Sequence, residues 1–196
     1  MAIAPGQSHR AVIDGTFPCE GVVVRGEAMF SPCRTWRYRV DYTWDAAAPG
    51  RVVWLLLNPS TADGSAFDPT LRRCFGFARR SRPQAQIGGM VVLNAYGLRA
   101  TSPAHLRTHP DPVGPGNLAA IAEVLAAHRS SLVICGFGGH GDDRPGHVAR
   151  LREVLAVATG RVHALGFTGA GLPKHPLYLP GVPEGRHLED LLLDYR

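Results

Sequence analysis

The sequence predicts an α/β protein: three layers, with a central, mainly parallel sheet of about four strands flanked by helices, and an antiparallel strand pair ahead of it. Three observations carry this reading. Four short apolar runs, at 52–57, 90–94, 131–135 and 161–166, read as strands buried on both faces. Helical patterns separate these runs, and strands that alternate with helices pair in parallel. Upstream, TWRYRVDYTW at 35–44 sets Trp36, Tyr38, Val40 and Tyr42 against Arg37, Arg39 and Asp41. That alternation marks a half-exposed strand, expected to lie antiparallel to GVVVRGEAMF at 21–30.

The chain of 196 residues is expected to form a single domain over 1–196, with residues 1–20 a loosely ordered lead. DAAAPG turns the antiparallel pair into the strand that ends at Leu57, where Asn58-Pro59-Ser60 stops it. Asp68 stands at an N-cap position with Pro69 at the first helical position, and Leu71, Cys74, Phe75 and Ala78 recur at helical spacing. The strand at 90–94 ends in Asn94 and is followed by a long segment with prolines at 103, 110, 112 and 115. Pro115 and Asn117 open a helix of about 12 residues ending near His128. After the strand at 131–135, Asp142 or Asp143 with Pro145 starts another helix, reaching about Thr159 with Gly160 as its C-cap. A Pro/Gly-rich loop follows the last strand, and His187 to Tyr195 reads as a short closing helix.

Composition narrows the functional classes. Hydrophobic residues make up 45% and charged residues 19%, ordinary for a globular protein. No apolar run is long enough to cross a bilayer, and the N-terminus lacks a secretory pattern, so a cytoplasmic location is expected. Net charge is +5, carried by arginine with a single lysine, Lys174. Five arginines, Arg72, Arg73, Arg79, Arg80 and Arg82, crowd one helix and its end, which is either a solvated face or a phosphate-binding one. The cysteines Cys19, Cys33, Cys74 and Cys135 form no Cys-x-x-Cys pair, and the histidines show no ligand spacing. Neither a metal centre nor a cluster is therefore expected, nor any other cofactor. A Cys19–Cys33 bridge is disfavoured in a reducing compartment.

The loops that leave the C-terminal ends of the parallel strands carry the candidate chemistry. Ten residues between Leu57 and Asp68 exceed what a connection needs, and they include Asn58, Ser60, Thr61 and Asp63. Asn94 ends the next strand, and His175 follows the last one. Each residue alone reads as a turn former or a surface side chain, but loops on one edge of a parallel sheet converge on a ligand crevice. GFGGHG at 136–141 is suited to cradling a phosphate, yet it is not a full G-x-G-x-x-G and lacks the Gly-Lys-Ser/Thr of a P-loop.

LLLNPSTADGSAFDPTLRRCFGFARR, VVLNAYGLRATSPAHL, DPVGPGN and LPKHPLYLP together resemble an uncharacterised bacterial domain family defined by Leu-Asn-Pro-Ser-Thr-Ala-Asp, over about Phe30 to Tyr178. The same motifs more faintly resemble the uracil-DNA glycosylase superfamily, which implies a uracil-DNA glycosylase-like fold. Within that resemblance, Asn58 positions the attacking water beside Pro59, Phe67 stacks on the flipped base, Asn94 reads the base edge and His175 bonds a base oxygen. Ser60 stands where one branch has tyrosine, and Leu177 where His-Pro-Ser would have serine.

The chemistry suits the residue types. Breaking an N-glycosidic bond builds positive charge on the sugar and negative charge on the departing base. Asn58 orients water but cannot remove its proton, so Asp63 or Asp68 is the expected assistant. Arg72, Arg73, Arg99 and Lys174 are the expected phosphate contacts. The expectation is thus a metal-independent DNA glycosylase acting on uracil or a related damaged base. Its partner is DNA, not a membrane, and it acts as a monomer. Two alternatives stand beside it: a nucleoside- or nucleotide-acting enzyme on the same fold, and a non-catalytic nucleic-acid-binding module.

Overall fold

In a computed structural model, which describes residues 13–60, 64–102, 104–139 and 146–195, the described chain forms one mixed α/β unit around an eight-stranded sheet. The strands are β1 (Ile13–Cys19), β2 (Val22–Phe30), β3 (Arg37–Thr43), β4 (Gly50–Leu56), β5 (Ile87–Asn94), β6 (Leu132–Gly136), β7 (Val162–Ala164) and β8 (Leu193–Asp194). The helices are α1 (Pro69–Ala78), α2 (His105–Thr108), α3 (Asn117–Ala127) and α4 (His147–Ala156). The spatial order is β1-β2-β3-β5-β4-β6-β7-β8. β5, β4, β6 and β7 pair in parallel, and β1, β2, β3 and β8 add antiparallel strands at the two sides.

The apolar runs are unbroken because both faces of the parallel strands are covered. Val52, Trp54 and Leu56 of β4, with Met90 and Val92 of β5, pack on Leu71, Cys74, Phe75 and Phe77 of α1. The alternate residues Val53, Leu55, Val91 and Leu93 pack on the opposite face with Ile121 and Val124 of α3 and Leu151 and Val154 of α4. Burying one such side chain contributes about 1.5–3 kcal/mol. At the head of α1 the Asp68 carboxylate accepts from the Leu71 N–H at 2.8 Å, and Pro69 fills the first helical position. One residue of this helix is unexplained by packing. Gly76 costs about 1 kcal/mol relative to alanine in a helix interior, yet a Cβ there would meet nothing within 4 Å.

Two expectations are corrected at the ends of the chain. Residues 13–19, expected in the loose lead, form β1, which hairpins onto β2 through Glu20-Gly21. Both turn residues have positive φ (45° and 78°), as a two-residue hairpin turn needs. Residues 187–195 are not a helix. A 3-10 turn at Leu188–Leu191 is closed by His187 N–H donating to Asp190 Oδ2 at 2.9 Å, and β8 then pairs with β7. The helix expected to reach Thr159 ends at Ala156, and its expected starting residues, Asp142, Asp143 and Pro145, lie outside the described residues. The sheet holds more strands than the four plus two expected, and its parallel part has four.

The long segment after β5 is held down rather than loose. Gly97 and Leu98 donate backbone N–H bonds to Val113 and Pro112, and Trp36 Nε1 donates to the Asp111 carbonyl at 3.0 Å. Gly114 has φ +85°, and a Cβ there would lie 2.5 Å from the Trp36 ring, so only glycine fits. No helix of the described residues is long and apolar enough to cross a membrane.

Candidate functional site

The winding of the sheet fixes where loops from its two halves part. From β4 the chain crosses by way of α1 to β5 on one side, and from β5 by way of α3 to β6 on the other. The switch point therefore lies between β4 and β6, where ligand crevices form at the carboxyl ends of strands.

Leu56 of β4 is paired with Gly136 of β6, so Asn58 and Gly138 leave the edge at matching levels. The 173–178 segment lies over the end of β6. Gly138 N–H donates to the Pro173 carbonyl at 2.9 Å. A Cβ on Gly136 would lie 2.6 Å from Pro176 Cδ, and one on Gly138, whose φ is +73°, 3.1 Å from His175 Cβ. These two glycines let the His175-Pro176 turn seat directly on the strand end. Asn58-Pro59 and His175-Pro176 thus stand on one edge, one strand end apart.

Asn58 is half-buried, and its Nδ2 donates to the carbonyls of Ala100 (2.8 Å) and Pro59 (3.1 Å). Those bonds fix the amide so that Oδ1, which accepts from no described residue, is the group left for a ligand. His175 is half-buried, and its Nδ1 accepts weakly from Leu177 N–H at 3.4 Å. In the neutral ring that contact places the proton on Nε2. Ser60 donates to Asp68 Oδ2 at 2.6 Å, while Asp68 Oδ1 caps α1. Both oxygens of Asp68 are engaged in holding the loop. Asp63 and Thr61 lie outside the described residues, as do His140 and Gly141 of the glycine-rich stretch.

The remaining candidates sit elsewhere. Phe67 is in the core, its ring 4.7–5.0 Å from those of Tyr42, Phe17 and Phe75. An apolar ring surrounded by three aromatics has no face to offer a base. Asn94 is 1% exposed, and its Oδ1 accepts from Arg37 Nη2 at 3.2 Å. Arg73 donates to the Leu179 carbonyl and lies over the Phe77 ring. Arg99 donates to the Arg34 carbonyl at 3.3 Å and lies over Phe30. Lys174 and Arg72 are exposed, and Arg72 Nη1 reaches Cys19 Sγ at 3.7 Å. Cys19 is buried and Cys33 exposed, and both thiols are free.

Sequence reasoning missed a buried polar network beneath the β5 end. Arg150 on α4 donates to the Ala95 carbonyl (2.7 Å), to Asn117 Oδ1 and to Glu153 (2.6 Å). Asn117 Nδ2 donates to the Asn94 carbonyl at 3.2 Å, and Tyr96 bonds His147 Nδ1 at 3.0 Å. Arg37, expected on the exposed face of its strand, is 2% exposed and belongs here. The only local signal was a polar residue at each of three element ends, Arg37, Asn94 and Asn117, with Arg150 inside α4.

Fold and edge define the class: an α/β protein with helices on both faces of a mixed sheet and the Asn58-Pro59 and His175-Pro176 turns at its switch point. Within that class, the chain belongs to the family described as "Protein of unknown function (DUF1643)", whose model matches residues 37–177. Comparison with curated proteins and with solved structures gives no match. Among the described residues, no group of three or more His, Cys, Asp or Glu side chains is placed to hold a metal ion.

Proposed function

We propose that the protein hydrolyses the N-glycosidic bond of uracil or a related damaged base flipped out of DNA, on a fold of the uracil-DNA glycosylase kind. One observation carries the reading: Asn58-Pro59 and His175-Pro176 stand on one sheet edge, over the neighbouring ends of β4 and β6 at the switch point. In the scheme, Asn58 Oδ1 accepts from a water and aims its lone pair at the anomeric carbon. The sugar–base bond breaks as that oxygen bonds to carbon, the water loses one proton and the base gains one. His175 Nε2–H lies against a base oxygen and stabilises the departing anion, a donor worth about 3 kcal/mol in such a role. Asp63 is the remaining candidate to take the water's proton, since Asp68 caps α1. The basic net charge suits a phosphate-bearing strand.

A second reading, a hydrolase of free nucleosides or nucleotides, is favoured by the interior position of Phe67 and the backbone bond of Arg99. Both readings are tested by one panel. End-labelled oligonucleotides carrying uracil, hypoxanthine, xanthine or an etheno-adduct are incubated with the protein and cleaved at abasic sites with alkali, beside free nucleosides followed by chromatography. Strand breaks at a lesion are the expected result. Base released from nucleosides alone would move the assignment to the second reading, and no release from either would overturn both.

A further inference from the structure

The exposed side of α1 forms a cleft of about 330 Å³ with the segment at 181–182. Arg72, Arg73 and Arg80 line it, with Gly76 between them and Glu20 at the rim. None of the three arginines has a carboxylate within ion-pair distance among the described residues. Arg82, one turn on, is instead paired with Asp190. Two of them are already fixed in place. Arg73 donates to the Leu179 carbonyl and stacks on Phe77, and Arg80 donates to the Pro183 carbonyl at 3.2 Å. Arg73 Nε–H is buried and donates to no described residue. Arg73 is thus held and desolvated in part, beside the exposed Arg72 and Arg80, and the charge of all three is unanswered by a paired carboxylate.

Gly76 lines the cleft, and a Cβ there would meet nothing within 4 Å, so no close contact requires glycine at that position. From Arg72 to Ala78, the last residue of α1, the helical rise is about 9 Å, longer than a single phosphate group.

We propose that this cleft holds consecutive phosphates of a nucleic-acid strand, as a tract along α1 additional to the crevice at the switch point. Phosphate chemistry follows from three guanidinium groups, two of them held by backbone carbonyls, against one carboxylate. The identity of the phosphate as that of a DNA strand rests on the function proposed above.

The test is fluorescence anisotropy with an undamaged, labelled single-stranded 15-mer over a range of salt concentrations. It compares the wild type, Gly76→Glu and the double variant Arg72→Gln/Arg80→Gln, with pyrophosphate titrated separately by calorimetry. Gly76→Ala, checked by thermal melting, reports whether position 76 tolerates a side chain. The expected result is binding by the wild type, weakened at least about tenfold in both charge variants, with the log–log salt slope reduced by about 1.4 in the double variant. Wild-type affinity and slope in Gly76→Glu would overturn the proposal. So would pyrophosphate binding without DNA binding, or no binding of either. Cleft-dependent DNA binding without base release would leave this proposal standing and remove the glycosylase reading. Base release with cleft-independent binding would do the reverse.

Discussion

β4 and β5 lie side by side in parallel, and each run ends in Leu-Asn, yet their asparagines have opposite surroundings. Asn58 lies beyond the last paired residue, half-buried, with its amide nitrogen tied to Ala100 and Pro59 and its oxygen left over. Asn94 is still in the strand, almost wholly buried, and its side chain and carbonyl are bonded by Arg37 and Asn117. The same residue pair therefore leaves an amide oxygen without a described partner at one strand end and is locked into a buried network at its neighbour. Pro59 accounts for part of the difference, since it ends the ladder immediately and lifts the chain from the sheet. The β5 exit instead continues as Ala95 and Tyr96, whose N–H groups donate to Leu56 and Leu57.

The largest effect expected from breaking this contrast is on the scaffold side. Arg150→Ala removes a buried cation and leaves Asn117 Oδ1 and the Ala95 carbonyl without their donor, so urea denaturation should show a loss of about 3–5 kcal/mol. Asn94→Ala, which strips one acceptor from Arg37, should cost about 2 kcal/mol in the same measurement. On the crevice side the order reverses. Asn58→Ala loses the bond to Ala100 and should cost only about 1 kcal/mol of stability, while base release in single turnover falls about 100-fold. Equal stability losses at Asn58 and Asn94 would dissolve the distinction.

The smallest effect concerns the turn that delivers Arg37. The Cys33 thiol there is lowered to about 7, chiefly by Ser31 and then by Thr35, whose hydroxyls lie 3.4 and 3.3 Å from Sγ. Its thiolate fraction grows as pH rises through that value. Alkylation should therefore accelerate with a midpoint near pH 7, while Cys74 and Cys135, whose thiols burial pushes up, stay unreacted in the native protein. Peptide mapping after iodoacetamide treatment at several pH values checks this.

Much of the fold was legible because physics acted locally. Strands covered on both faces must be apolar throughout, and Asp68-Pro69 is a helix start in any context. β1 was not legible because its strand signal is broken by Asp14-Gly15 and Pro18, and its turn places a glutamate at positive φ. The end of the chain reads as helical from Leu188 to Leu193. However, Asp190 turns back to cap His187, and Tyr195 N–H donates to Val162, which is 33 residues away in sequence. The placing of the Asn58 and His175 turns on one sheet edge could be anticipated from parallel-strand topology. The Arg37–Asn94–Asn117–Arg150 network could not, since its members come from four separate segments, three as ordinary polar residues at element ends and Arg150 within α4.

The most direct test of the central claim is single-turnover base release from a uracil-containing oligonucleotide by the wild type and by His175→Ala, at matched folded fraction. His175 lies on a half-buried turn, and its removal leaves the seating of Pro176 on Gly136 intact. The account predicts release by the wild type and a rate about 100-fold lower in His175→Ala with an unchanged melting temperature. Equal rates in the two proteins, or no release by the wild type, would contradict it.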